Sequence, residues 1–220
     1  MGRGTDTTSE PVRLFSYVVV HDSGFAPNPF FGYCTLACCK PAIRRTANEG
    51  DWVVGLMPKV KGNKIVYAMR VDEKLSFDDF SRDKRFRGKI PDGDKGSVLY
   101  QRGDNVYMPR SDGSFRQLPS SHRQGKCENE ETKHRDLVQG KYVLVSQEFK
   151  YFGKDGRSLP DCFQEIIPGR GHKSRFSEEL VTAFVNHVRQ LPNGIHAAPA
   201  DWPSGDDSWN QGKDRQKSTA

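Results

Sequence analysis

Long apolar runs are missing from this 220-residue chain: nowhere do about 18 consecutive apolar residues occur, the length a helix needs to cross a bilayer. Its first residues also lack the apolar core of a secretory leader, and Asp6 stands where a myristoylation signal wants Ser or Thr. The expectation is a cytoplasmic protein that does not engage membranes. Internal repeats are absent, as is a P-loop: the one Gly-x-Gly near the C-terminus, in PGRGHK, lacks the Lys and the spacing. A zinc signature is incomplete too, because Cys34, Cys38 and Cys39 form a C-x3-C-C cluster with no matching second pair. No metal and no cofactor are therefore expected. Cysteine is scarce and odd in number, five in all, which speaks against a disulfide framework and for free thiols, a metal site or a reactive nucleophile, free thiols being the leading reading.

What the chain does have is rings and positive charge. Thirteen Phe, seven Tyr and three Trp suffice for one sizeable core despite 28% charged residues. The formal charge of +6 and pI near 9.1 favour phosphate-bearing partners, nucleic acid or free nucleotide. A globular domain is expected over residues 13–198, with a flexible N-terminus (1–12) and a flexible polar tail (199–220) in which Trp202 and Trp209 are candidates to dock.

Leu14–Val20 reads as a buried strand, and Pro27, Pro29 and Gly32 force the loop that follows. Pro41 opens a short helix through Asn48, and Asp51–Met57 is the next strand, joined through Gly62-Asn63 to its hairpin partner. Short strands with turns at Asp104-Asn105 and Asp112-Gly113 fill the middle, and Lys141–Phe149 reads as one more strand. Ser177 caps an amphipathic helix with Leu180, Val181, Phe184, Val185 and Val188 on one face, ended before Pro192. The resulting fold class is α+β, with a mixed, barrel-like sheet, a short helix after the first strand and a C-terminal amphipathic helix.

The candidate site residues fall into three sets. Asp22, Phe25, Asn28, Phe31 and Trp52 surround the Pro-rich loop, where rings wall a slot for a planar base and polar groups read its edge. Lys40, Arg44, Arg170, His172 and Lys173 are the phosphate contacts, the last three in a basic loop running into the terminal helix. Cys34, Cys38 or Cys39 is the nucleophile if the protein is an enzyme, with His172 or His21 as proton-transfer partner and Lys40, Arg44 and Arg45 nearby. A second basic segment holds Arg82, Lys84, Arg85, Arg87 and Lys89 around Phe86, which suits a phosphate backbone and a stacked base. His122 lies just before KCENEETKH, which contains Cys127 and His134, a segment read as a solvated loop.

The strings GFAPNPFFGYCTLACCKPAIRRTANEGDWVVGL, YVLVSQEFKYFG, SLP and RGHK together resemble the nucleotide-modification-associated domain family of the second type, over about residues 14–200. The matching positions are Asp22, Gly24, Asn28, Pro29, Cys34, Cys39, Lys40, Pro41, Arg44, Gly50, Asp51 and Trp52, then Tyr151, Phe152, Gly153, Gly171, His172 and Lys173. The resemblance implies a setting beside phage and bacterial systems that alter DNA bases. The order of elements is also similar to the opening of PUA-like barrels, which clasp flipped bases, a likeness of shape alone. Three functions follow as expectations: a module binding a modified base in nucleic acid or a free nucleotide, a modifying enzyme with a Cys nucleophile, or an accessory subunit that docks such an enzyme.

Overall fold

The computed structural model describes residues 11–214. Eleven strands lie in three sheets among the described residues. The largest sheet has six strands: β1 (Leu14–Val18), β3 (Trp52–Leu56), β4 (Ile65–Arg70), β9 (Phe149–Tyr151), β10 (His172–Lys173) and β11 (Gly194–Ile195), in the order β10-β1-β3-β4-β9-β11. The second is β2 (Cys34–Leu36), β8 (Tyr142–Ser146) and β5 (Glu73–Ser76) in the order β2-β8-β5, and the third is the hairpin β6 (Tyr107–Pro109) with β7 (Phe115–Gln117). The helix and strand content is that of an α+β protein. The barrel-like closure expected is not found: the six-stranded sheet ends in the two-residue strands β10 and β11, too short to carry a ladder around to one another.

β3 is buried along its whole length, because it sits in the middle of the sheet with both faces covered. Its residues part by the strand period: Trp52, Val54 and Leu56 face the helix α5 (Glu178–Arg189), while Val53 faces the core that holds Tyr17, Tyr67 and Phe30. α5 lays Val181, Phe184, Val185 and Val188 on the sheet, as its sequence spacing requires, and the Ser177 hydroxyl accepts from Leu180 N at 3.2 Å, capping it. The β3–β4 turn has Gly62 and Asn63 in left-handed conformations, the expected hairpin.

Three local readings differ. The first short helix, α1 (Pro41–Thr46), follows β2 rather than β1 and stops two residues early, as Ala47 turns extended. Lys141–Phe149 is two strands in two sheets, since Asp72 Oδ2 accepts from both Gln147 N (2.7 Å) and Glu148 N (3.2 Å) and caps the turn where the chain changes sheets. The middle of the chain is less strand-rich than expected: α2 (Phe77–Arg82), a 3-10 turn at Lys84–Lys89 and α3 (Val98–Gln101) occupy it. This segment wraps around Phe80 and Phe86, both fully buried, with ring centroids 4.6 Å apart. Beyond it, α4 (Glu130–Lys133) runs directly into a π-helical stretch, His134–Gly140.

Of the tail, residues 199–214 are placed. Trp202 packs on Phe30 at 5.5 Å between centroids, and a last short helix, α6, spans Gln211–Asp214. The stretch 1–10, expected to be flexible, and residues 215–220 lie outside the described residues. No helix among those described is long and apolar enough to cross a membrane.

Candidate active site

The link from β2 to α1 bends sharply. Cys39 (φ 60°) and Lys40 (φ 40°) are consecutive left-handed residues with side chains, a conformation costing roughly 1–2 kcal/mol for each. Two hydrogen bonds hold that bend from either side: Cys39 N donates to Asp136 Oδ1 (3.0 Å), and Arg44 Nε donates to Cys39 O (2.7 Å). Asp136 belongs to the π-helical stretch, a form that recurs where a side chain must be redirected at a site.

Around the Asp136 carboxylate, four donors converge. Oδ1 takes Cys39 N and Arg44 Nη2 (2.9 Å); Oδ2 takes the Tyr107 hydroxyl (2.9 Å) and His122 Nδ1 (2.8 Å). The other ring nitrogen, His122 Nε2, lies 3.2 Å from Cys39 Sγ. A thiol, an imidazole facing it and a carboxylate orienting the imidazole are the parts of a nucleophile–base–acid triad. Phe25 packs edge-on against the imidazole at 5.0 Å, and Thr132 Oγ1 donates to His122 O at 2.8 Å, so both ring and backbone of His122 are held.

Burial by itself would lower the His122 pKa, but its hydrogen bonds to Asp136 and Cys39 and the Asp136 charge outweigh that and raise it to about 9. For Asp136, burial pulls upward, while the His122 hydrogen bond and the Arg44, His122 and Arg135 charges carry it below the usual carboxylate range. These contacts favour the protonated form of the imidazole. Cys39 lines a cavity of about 410 Å³ together with Tyr17, Val18, Val20, Ala26, Lys40 and Arg135.

Of the predicted nucleophiles, Cys34 and Cys38 are fully buried, and burial pushes both thiols well above their ordinary pKa, while Cys39 is half-buried at the cavity. The predicted proton partners lie elsewhere. His172 sits on β10 opposite Tyr17, and His21 is exposed, 3.7 Å from Asp201. The group that faces Cys39 is instead His122, read from the sequence as part of a solvated loop. No local signal marks it, since His122 and Asp136 are neighbours only through the fold.

The three rings expected to share one slot lie apart. Phe25 is against His122, Phe31 is among Phe30 and Tyr100, and Trp52 is on the α5 side of the sheet near Lys150 and Arg189. Asp22 accepts from the Tyr151 hydroxyl (2.6 Å) and Ala200 N (3.1 Å), and burial raises its pKa to about 6. Asn28 donates to Gly24 O and Arg102 O, and its side-chain oxygen takes Lys89 Nζ at 2.5 Å.

Among the cationic residues, Arg44 is wholly buried on Asp136, the Asp136 and Tyr142 carbonyls and Cys39 O. Lys40 Nζ lies over the Tyr17 ring at 4.4 Å, and Lys40 also borders a second hollow of about 160 Å³ with Gly171 and His172. Lys173 donates to Glu165 O, and Arg170 is exposed in the turn before β10. In the second basic segment, Arg82 is paired with Asp78, Arg85 with Glu73 and Asp83, and Lys89 is fully buried.

Donor atoms of Cys38, His122 and Asp136 lie within 4.8 Å of one another, a spacing that could hold a metal ion. Arg44 already supplies the cation to that carboxylate, and burial keeps the Cys38 thiol protonated, so the donor set suits a salt-bridged network better than a metal.

The family model described as nucleotide modification associated domain 2 matches residues 11–206. No curated protein matches the chain, and no solved structure does.

Proposed function

Because the chain belongs to the nucleotide modification associated domain 2 family, we propose that it is an acyl-transfer or hydrolytic enzyme in which Cys39 attacks an acyl substituent carried by a nucleotide, free or within nucleic acid. The observation that carries this reading is the chain of contacts from Cys39 Sγ to His122 Nε2 (3.2 Å) and from His122 Nδ1 to Asp136 Oδ2 (2.8 Å), with Cys39 lining a cavity.

In the first step the Cys39 thiolate forms a carbon–sulfur bond to the acyl carbon, the bond from that carbon to the nucleotide's nitrogen or oxygen breaks, and His122 Nε2 gives its proton to the departing atom. Water then attacks the thioester, His122 takes the water proton, and the carbon–sulfur bond breaks to release the acid and restore the thiolate. Asp136 holds the imidazole in register throughout and stays ionised, which its low pKa supports. Tyr107 and Arg44 keep Asp136 in place.

The test is a survey of nucleotides and DNA bearing acylated bases, with mass spectrometry on ligand and protein. An acyl adduct on Cys39 that hydroxylamine removes, absent in Cys39→Ser and slowed in His122→Gln, supports the enzyme. Tight binding of an unchanged modified base, equal in wild type and Cys39→Ser, would replace it with a reader that uses the same cavity as a base slot. DNA recognition, a phage setting and cytoplasmic residence are parts of this proposal that rest on the family context.

A further inference from the structure

The cationic groups around Cys39 outnumber the anions. Arg135 places Nη2 3.2 Å from His122 Nε2 and 3.4 Å from its Nδ1. Each ring nitrogen that Arg135 approaches is already engaged, Nδ1 with Asp136 Oδ2 and Nε2 with Cys39 Sγ. Arg135 Nε is buried and has no hydrogen-bond partner, and its nearest carboxylate oxygen, Asp136 Oδ1, is 3.8 Å away and already shared by two donors. Arg44, Arg135 and Lys40 thus stand against the Asp136 carboxylate, beside the Cys39 thiol. Among the described residues no Asp or Glu lines the cavity, whose other ionisable side chains are Tyr17 and His21, the latter 3.7 Å from Asp201.

Arg135 lines a cavity that has no carboxylate among its lining residues, and its guanidinium has a nitrogen, Nε, without a hydrogen-bond partner, a combination that an anion completes. We propose that Arg135, with Lys40 in the same cavity, clamps an anionic oxygen group of the substrate, a carboxylate or a phosphate, next to the carbon that Cys39 attacks. This rests on the reading of Cys39 as a nucleophile and narrows its substrate class: the ligand is small and anionic near the reacting atom. Duplex recognition through the second basic segment is not needed, since Arg82 and Arg85 are paired with carboxylates there.

The test uses alkylation of the full chain by iodoacetate, which is anionic, and by iodoacetamide, its neutral counterpart, with each cysteine followed by peptide mass spectrometry. The exposed Cys127 and Cys162 are internal controls. The clamp predicts an iodoacetate-to-iodoacetamide rate ratio at Cys39 on the order of tenfold above the controls, the scale on which a charged cleft concentrates its counterion. Arg135→Gln should bring the ratio close to the controls, and Arg135→Lys should keep much of it, with unchanged circular dichroism in both. A ratio at Cys39 equal to the controls while iodoacetamide still reacts there overturns the clamp and leaves the nucleophile standing; no reaction with either reagent overturns both. Protection of Cys39 by thymidine 5′-monophosphate but not by thymidine identifies a phosphate, and protection by N-acetylglycine identifies a carboxylate. Failure of both anions to protect overturns the clamp.

Discussion

Cys39 and His122 are 83 residues apart in the chain and bring Sγ and Nε2 to 3.2 Å, an approach made by two loops that the same carboxylate ties down. Asp136 fixes the Cys39 backbone with one oxygen and the His122 ring with the other, so placement of the thiol and of the base are one event in the fold.

Thiol mapping follows from this arrangement. In the folded protein, iodoacetamide should modify Cys39, Cys127 and Cys162, and leave Cys34 and Cys38 intact until denaturant is added, because the latter two are buried thiols kept protonated. Early modification of Cys34 or Cys38 would contradict the structure.

Removal of Asp136 should be costly. Asp136→Ala leaves the Arg44 guanidinium buried without its counter-charge, a loss of about 3–5 kcal/mol for breaking a buried pair. The double change Arg44→Met with Asp136→Leu should destabilise less than the sum of the single changes, as urea unfolding of the four proteins would reveal.

Gly140 lies against the Arg44 guanidinium, and a Cβ there would overlap it. An ordinary arginine end would swing aside, but this one is held by hydrogen bonds to Asp136 and three carbonyls. Gly140→Ala should therefore destabilise by about 1–3 kcal/mol and also slow alkylation of Cys39, although residue 140 is not part of the triad. A melt combined with the alkylation rate separates this from a silent change.

Stability should depend on pH in two windows of the same sign. His122 has a folded pKa raised to about 9, above roughly 6.5 in the unfolded chain, so its contribution is complete below about 6.5 and lost as pH rises to about 9. Asp22 is raised to about 6 from 3.8, so its protonation favours the folded state below about 3.8 and that gain is lost as pH rises through 6. Urea midpoints across pH should flatten in the upper window for His122→Gln and in the lower one for Asp22→Asn. Unchanged slopes in the variants would refute the assignments.

Periodicity and turn chemistry made much of the frame readable. The α5 face, its Ser177 cap, the buried β1 and β3 and the Gly62-Asn63 hairpin are each dictated within a few residues, by side-chain spacing or by the need for a left-handed turn. The split of Lys141–Phe149 was not readable, because it depends on Asp72, which lies about 75 positions away in sequence and caps the turn. Likewise the charge of Lys89 looked like part of a basic face, yet its Nζ is consumed inside by Asn28 and Tyr33 O.

The site divides along the same line. That a cysteine in the dense segment before Pro41 is a candidate nucleophile, with cations beside it, follows from residue types and local order alone. Which cysteine stands beside an imidazole, and which imidazole, was decided only by tertiary structure: Cys34 and Cys38 are buried, and the π-helical stretch carries Asp136 to a point where it meets Cys39, His122 and Arg44 together. Propensity and spacing act over a turn or two of chain, whereas a hydrogen-bonded triad is assembled from loops whose meeting the packing of the whole core determines.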